Sequence, residues 1–106
     1  MSLLPVVLNL NQLKCLVIGG GKVALKKIIN LYQAGALITV YSPLIVDELK
    51  EFIQDKGIIL YNQPFTLSDD VDGYQLIVAA TNNQALNYSL SEKAKQKNIF
   101  INVVDS

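Results

Sequence analysis

Few residues in this chain have types suited to chemistry, and the most telling of them are glycines. Residues 15–24 read Cys-Leu-Val-Ile-Gly-Gly-Gly-Lys-Val-Ala, an apolar run that breaks into glycine and then into a helical pattern. Gly19, Gly21 and Ala24 form Gly-x-Gly-x-x-Ala where a strand would hand over to a helix. Gly19 allows the tight turn, Gly21 leaves room for a pyrophosphate to approach the backbone, and Ala24 lets the helix pack close to a sheet. The unpaired N–H groups and positive dipole end of that helix would then face the phosphates. The plain alternative is an ordinary glycine-rich turn of an α/β protein.

The titratable residues narrow the chemistry further. Nine lysines oppose nine acids, and the chain has no arginine and no histidine. The commonest metal ligand and the commonest general base are therefore missing, and the single Cys15 cannot build a zinc or iron–sulfur constellation. Acid–base work must rest on carboxylates, lysines, tyrosines or Cys15. A net charge of zero gives no electrostatic footprint for nucleic acid. No apolar stretch approaches a membrane span, and no basic-then-apolar signal opens the chain. Cys15, inside an apolar run, reads as a small core residue with no disulfide partner, which suits a reducing cytoplasm.

The elements that must position these residues follow from the spacing. With 51% hydrophobic and 17% charged residues over 106 positions, the chain reads as one packed domain, residues 1–106. Leu16-Val17-Ile18 suits a strand buried on both faces, and Ala24, Ile28 and Leu31 recur at helical spacing until Gly35 ends the helix. Leu37–Tyr41 is a second strand, completing a βαβ unit within about 30 residues. Ser42 and Pro43 read as the cap and first residue of a helix that ends near Gly57 and carries Leu44, Ile45, Leu49, Phe52 and Ile53 on its apolar side. Ile58–Tyr61, Leu76–Ala80 and Ile99–Val104 are further strands, and Thr81-Asn82-Asn83 starts a helix to about Lys97. Leu4–Leu10 looks like an extra N-terminal strand. Residues 62–75 read as a loop with one helical turn; its Asp69, Asp70 and Asp72 could suggest a cation site, but such runs are more often solvated turns. Alternating strands and helices imply a doubly wound, mainly parallel sheet.

In such sheets ligands bind beyond the carboxyl ends of the strands. Among the residues at those ends, Asp105 is the only carboxylate. The acid that usually binds the adenosine ribose about 20 residues past the glycines is absent; the count lands on Tyr41 and Ser42, and no lysine stands there for a ribose phosphate either. Ser42 or backbone groups around Pro43 are left to hold the ribose.

Together these segments resemble the N-terminal domain of the siroheme synthases, the precorrin-2 dehydrogenase and sirohydrochlorin ferrochelatase family. The resemblance is carried by Leu4-Pro5-Val6-Val7-Leu8, the Cys15–Ala24 turn followed by Lys26-Lys27, Ala34-Gly35-Ala36, Ala79-Ala80-Thr81-Asn82 and Asn102-Val103-Val104-Asp105. It implies an α/β, Rossmann-like fold and NAD-dependent oxidation of the tetrapyrrole precorrin-2 to sirohydrochlorin in siroheme biosynthesis. In some members iron insertion, a lyase activity, occurs at the same site. It further implies Asp105 as the catalytic aspartate and, beside the motif's Gly19, NAD contacts at Gly20, Gly21, Lys22 and Val23 in the turn. Ser42, Pro43 and Leu44 would follow after the second strand, with Thr81 and Asn102 on the same edge. No resident metal is implied. Family members continue into a helical segment that mediates dimerisation, so a cytoplasmic homodimer is the expectation for the full-length protein. The residues themselves leave other readings open: a nucleotide-sensing module without catalysis, whose members usually carry the missing ribose-binding acid, and, less well matched, an adenosylmethionine methyltransferase.

Overall fold

A computed structural model of the protein describes residues 7–104. Eight elements alternate along the chain: β1 (Lys14–Ile18), α1 (Lys22–Gln33), β2 (Leu37–Tyr41), α2 (Asp47–Lys56), β3 (Ile59–Tyr61), β4 (Leu76–Ala79), α3 (Gln84–Gln96) and β5 (Phe100–Val103). The strands form one sheet in the order β3-β2-β1-β4-β5, and every neighbouring pair is parallel. β1 is central and its residues from Cys15 to Ile18 are buried, as expected of a strand covered on both faces.

Side chains alternate across the sheet and build two cores. Cys15, Val17, Ile38, Val40 and Val78 pack with Ala24, Ile28 and Leu31 of α1 and Leu49 and Ile53 of α2. Leu16, Ile18, Ile77 and Ala79 pack on the other face with Leu90 and Ala94 of α3 and with Phe65 and Val71 from the long loop after β3. Burial pushes the Cys15 thiol above its usual range, and its Sγ donates to the Leu13 carbonyl at 3.7 Å. Cys15 is thus the core residue its apolar neighbours imply.

Three expectations are corrected. The helix after β2 begins at Asp47, with Val46 as its N-cap, not at Ser42-Pro43. Residues 42–46 are held as a loop because their polar groups are used elsewhere. The Ser42 hydroxyl donates to the Leu44 carbonyl at 2.6 Å, and the Val46 N–H donates to the Gly20 carbonyl at 2.9 Å. Leu44 consequently lies off the helix and is 82% exposed. The described part of the extra N-terminal strand, residues 7–10, is not strand; the chain turns there into β1, with Leu13 N–H donating to Leu10 at 3.0 Å and Gln12 N–H to Gly35 at 2.9 Å. The rest of that segment lies outside the described residues. The loop 62–75 contains turns and bends but no helix.

The aspartates of that loop serve the loop itself. Asp69 accepts from Thr66 N–H at 2.7 Å, Asp70 from Asp72 N–H at 2.7 Å, and Asp72 from Lys97 Nζ at 2.8 Å. Among the described residues no group of three or more acidic, histidine or cysteine side chains is placed to hold a metal ion. Among them, too, no helix is long and apolar enough to cross a membrane.

Candidate functional site

The carboxyl ends of β1, β2 and β4 open into a cleft of about 380 Å³. Its floor is Gly19, Gly20 and Gly21; one wall is Tyr41 to Leu44, another Ala80 to Asn83 with Leu86, and Pro64 and Phe65 close the side. The two halves of the chain meet here because β1 sits between β2 and β4, so the loops that follow all three strands share one rim.

The three glycines answer to different demands. Gly19 has φ +137°, which L side chains rarely adopt, and a Cβ there would run into the Ala80 carbonyl. A Cβ on Gly20 would strike the Leu44 carbonyl and lie 2.7 Å from Ser42 Oγ. Both are therefore required by the protein's own packing. Gly21 is not: its φ is −91°, and a Cβ there would meet no protein atom within 4 Å. Open space above a cleft-lining glycine is what a pyrophosphate approaching the backbone would need.

The helix start beside it is also free for an anion. Gly21 caps α1 without a side-chain hydrogen bond, and no acidic residue stands in the first turn. The first helical bond runs from Leu25 N–H to Gly21 at 3.0 Å, so the earlier N–H groups have no acceptor within the helix. None of the described residues that line the cleft is an acid, a lysine or an arginine. The positive end of α1 is then the main source of field for a phosphate.

The wall after β2 is braced from two sides. Ser42 is buried, and its carbonyl and that of Pro43 accept from the Asn62 side-chain amide at 2.9 and 3.0 Å when the amide is turned to satisfy its neighbours. Tyr41 stacks on Tyr61 with centroids 4.7 Å apart and meets Phe65 edge-on at 5.1 Å. Burial first, then the charge of Asp69, pushes the Tyr41 phenol above its usual range.

The wall after β4 is braced by α3. Asn83 caps the helix by accepting from Leu86 N–H at 3.0 Å. One turn on, the buried Asn87 bonds back to Thr81 through both ends of its amide.

Of the residues expected at the site, Gly19, Gly20, Gly21, Ser42, Pro43, Leu44 and Thr81 line the cleft together. Lys22 is exposed and Val23 half-buried on the first turn of α1, and neither lines it. Asn102, on β5, pairs in register with Val78 of β4 and borders a separate cavity of about 250 Å³ with Lys27 and Asn30. Asp105 lies outside the described residues. The chain reaches its edge of the sheet at Val104, whose N–H donates to the Ala79 carbonyl at 3.0 Å, next to Ala80 in the cleft wall. Tyr41, Pro64 and Phe65 fall at the carboxyl ends of strands, where the site was expected, without a role assigned to them. Leu86, and Asn87 behind the wall, were not expected, and only tertiary structure brings them in.

Known proteins share this arrangement. The model of the family described as "Putative NAD(P)-binding" matches residues 6–106. The siroheme synthase of Vesicomyosocius okutanii subsp. Calyptogena okutanii is 40% identical over 106 residues, covering 100% of this chain and 22% of its own length. The siroheme synthase of Pseudomonas fluorescens is 41% identical over the same span, 23% of its length. This chain thus spans less than a quarter of the length of these curated relatives. Among solved structures, SirC, precorrin-2 dehydrogenase, superposes with a TM-score of 0.79 at 31% identity, over 94% of this chain and 48% of that one. With its sheet order, its glycine floor and a family match over nearly every residue, the chain belongs to the NAD(P)-binding family and has its Rossmann-like α/β fold.

Proposed function

We propose that this chain is the NAD-binding part of a precorrin-2 dehydrogenase, oxidising precorrin-2 to sirohydrochlorin on the way to siroheme. The observation that carries the reading is the cleft itself. Its glycine floor leaves open space at Gly21 in a chain 31% identical, over 94% of its length, to a precorrin-2 dehydrogenase.

The residues divide the task by chemistry. Gly19 to Gly21 and the first turn of α1, with Lys22 and Val23, hold the pyrophosphate through N–H groups and the helix dipole. Ser42, Pro43 and Leu44 border the ribose, with neither the acid usual for its hydroxyls nor a lysine or arginine for a 2′-phosphate among them. Thr81 holds the opposite wall, and Asn102 stands on the strand beside it. Bound NAD supplies the hydride acceptor for the dehydrogenation. The substrate must also lose a proton, and Asp105 is the base to which we assign it, as the only carboxylate at the strand ends. The protein would act in the cytoplasm as a homodimer.

Anaerobic incubation of the intact protein with precorrin-2 and NAD, following sirohydrochlorin by absorbance, tests the reading. Turnover that needs NAD and falls about a hundredfold or more in Asp105→Asn supports it, in line with the loss of a general base. NAD binding without turnover would leave a nucleotide-binding module and defeat the dehydrogenase.

A further inference from the structure

Asn87 is an unusual residue to find where it is. It lies on α3 one turn above Leu90 and is 7% exposed, on the helix side that faces an aliphatic core. Burying an amide is unfavourable unless both of its ends are bonded, and an apolar side chain of that size would fill the space without the risk. Both ends are bonded here, and to one residue. Asn87 Nδ2 donates to the Thr81 carbonyl at 2.9 Å, and Asn87 Oδ1 accepts from the Thr81 hydroxyl at 2.6 Å.

The second bond has a consequence for the cleft. A threonine hydroxyl has one hydrogen and two lone pairs. The short bond to Asn87 takes the hydrogen; the Thr81 Oγ1 contact with the Asn83 carbonyl, at 3.3 Å, is the weaker claim on it. One lone pair accepts from Asn83 N–H at 3.2 Å. What Thr81 retains for a ligand is a single acceptor lone pair. The adjacent Asn83 side-chain oxygen is likewise engaged, capping Leu86, while its amide nitrogen keeps its donors.

We infer that Asn87 is a positioning residue: it turns the Thr81 hydroxyl into an acceptor, so that the Thr81 position in the β4 wall of the cleft selects a ligand group that donates a hydrogen bond. An amine, amide or hydroxyl fits there, and a phosphate does not. The two ends of the cleft are then chemically opposite, with bare N–H donors at the glycines and an acceptor at Thr81, which orients a dinucleotide along it. This rests on the reading of the cleft as a dinucleotide site.

A double-mutant cycle with NAD as the probe tests it, using calorimetric dissociation constants and thermal melts of the whole chain. Thr81→Val and Asn87→Leu should each weaken NAD by about tenfold, the size of one hydrogen bond. The double variant should lose no more than either alone, because both changes act through the same hydroxyl: one deletes it and the other releases its orientation. Thr81→Ser, which keeps the hydroxyl, should retain more of the affinity than Thr81→Val does. Asn87→Ala provides the same readout should Asn87→Leu overpack and fail to fold. Losses that add in the double variant, or an Asn87 variant that folds and binds NAD like the parent, would overturn the assignment while leaving the dinucleotide site intact. Failure of the parent itself to bind NAD would overturn both.

Discussion

The Ala80 carbonyl occupies the space that a Cβ on Gly19 would need; its carbon would lie 2.8 Å from that Cβ. The first glycine of the motif is thus set by the fold, since β1 and β4 are hydrogen-bonded neighbours whose ends meet there, with Ala80 N–H donating to the Ile18 carbonyl at 2.8 Å. Gly19→Ala adds a backbone clash to a positive φ, and each is costly in its own right. It should destabilise the protein by about 3 kcal/mol, read as a shift in denaturation midpoint at unchanged slope.

Gly21 makes the opposite prediction. With no protein atom within 4 Å of the added methyl and an ordinary φ, Gly21→Ala should change stability by no more than about 1 kcal/mol, the scale of a helix N-cap substitution. Its effect should fall on the ligand, because the methyl stands where the pyrophosphate approaches. NAD affinity should drop by about tenfold or more by calorimetry, against a melt near that of the parent. Equal binding by Gly21→Ala would mean that the phosphates do not pass over this residue.

How far the site was legible in the sequence depends on the range of the interactions that make it. The β1–turn–α1–β2 unit could be read because its signals are local: apolar runs of strand length, a glycine turn and a 3.6-residue apolar stripe. The start of α2 could not. Ser42-Pro43 satisfies the local rules for a helix start, but Ser42 bonds to Leu44 and Val46 to Gly20, and the second of these joins segments that only the folded chain brings together. Asn87 was invisible for the same reason, since an asparagine in a helix has no sequence signal for a partner six residues back. Phe65 and Pro64 reach the cleft from a loop anchored by Lys93, whose Nζ donates to the Leu67 and Asp69 carbonyls at 2.7 and 2.8 Å. No periodicity encodes that tether.

The same loop carries a testable charge. Lys97 closes α3 and donates to Asp72 Oδ1 at 2.8 Å, and this hydrogen bond, with the lysine's charge, holds the Asp72 carboxyl below the usual carboxylate range. A carboxyl depressed in the folded state stabilises the fold at pH above its unfolded value, and the contribution disappears as pH falls through the folded one. Both partners are solvent-exposed, so the effect on stability should be small and screened by salt. The titration itself is the sharper readout. Carboxyl carbon shifts followed by NMR should place Asp72 below an ordinary aspartate, and Lys97→Met should move it up towards the ordinary range. High salt should move the parent in the same direction. The melting temperature of Lys97→Met should stay close to that of the parent at neutral pH, because Lys93 still holds the loop through two carbonyls. An Asp72 that titrates identically in parent and variant would show that the 2.8 Å contact is not maintained in solution.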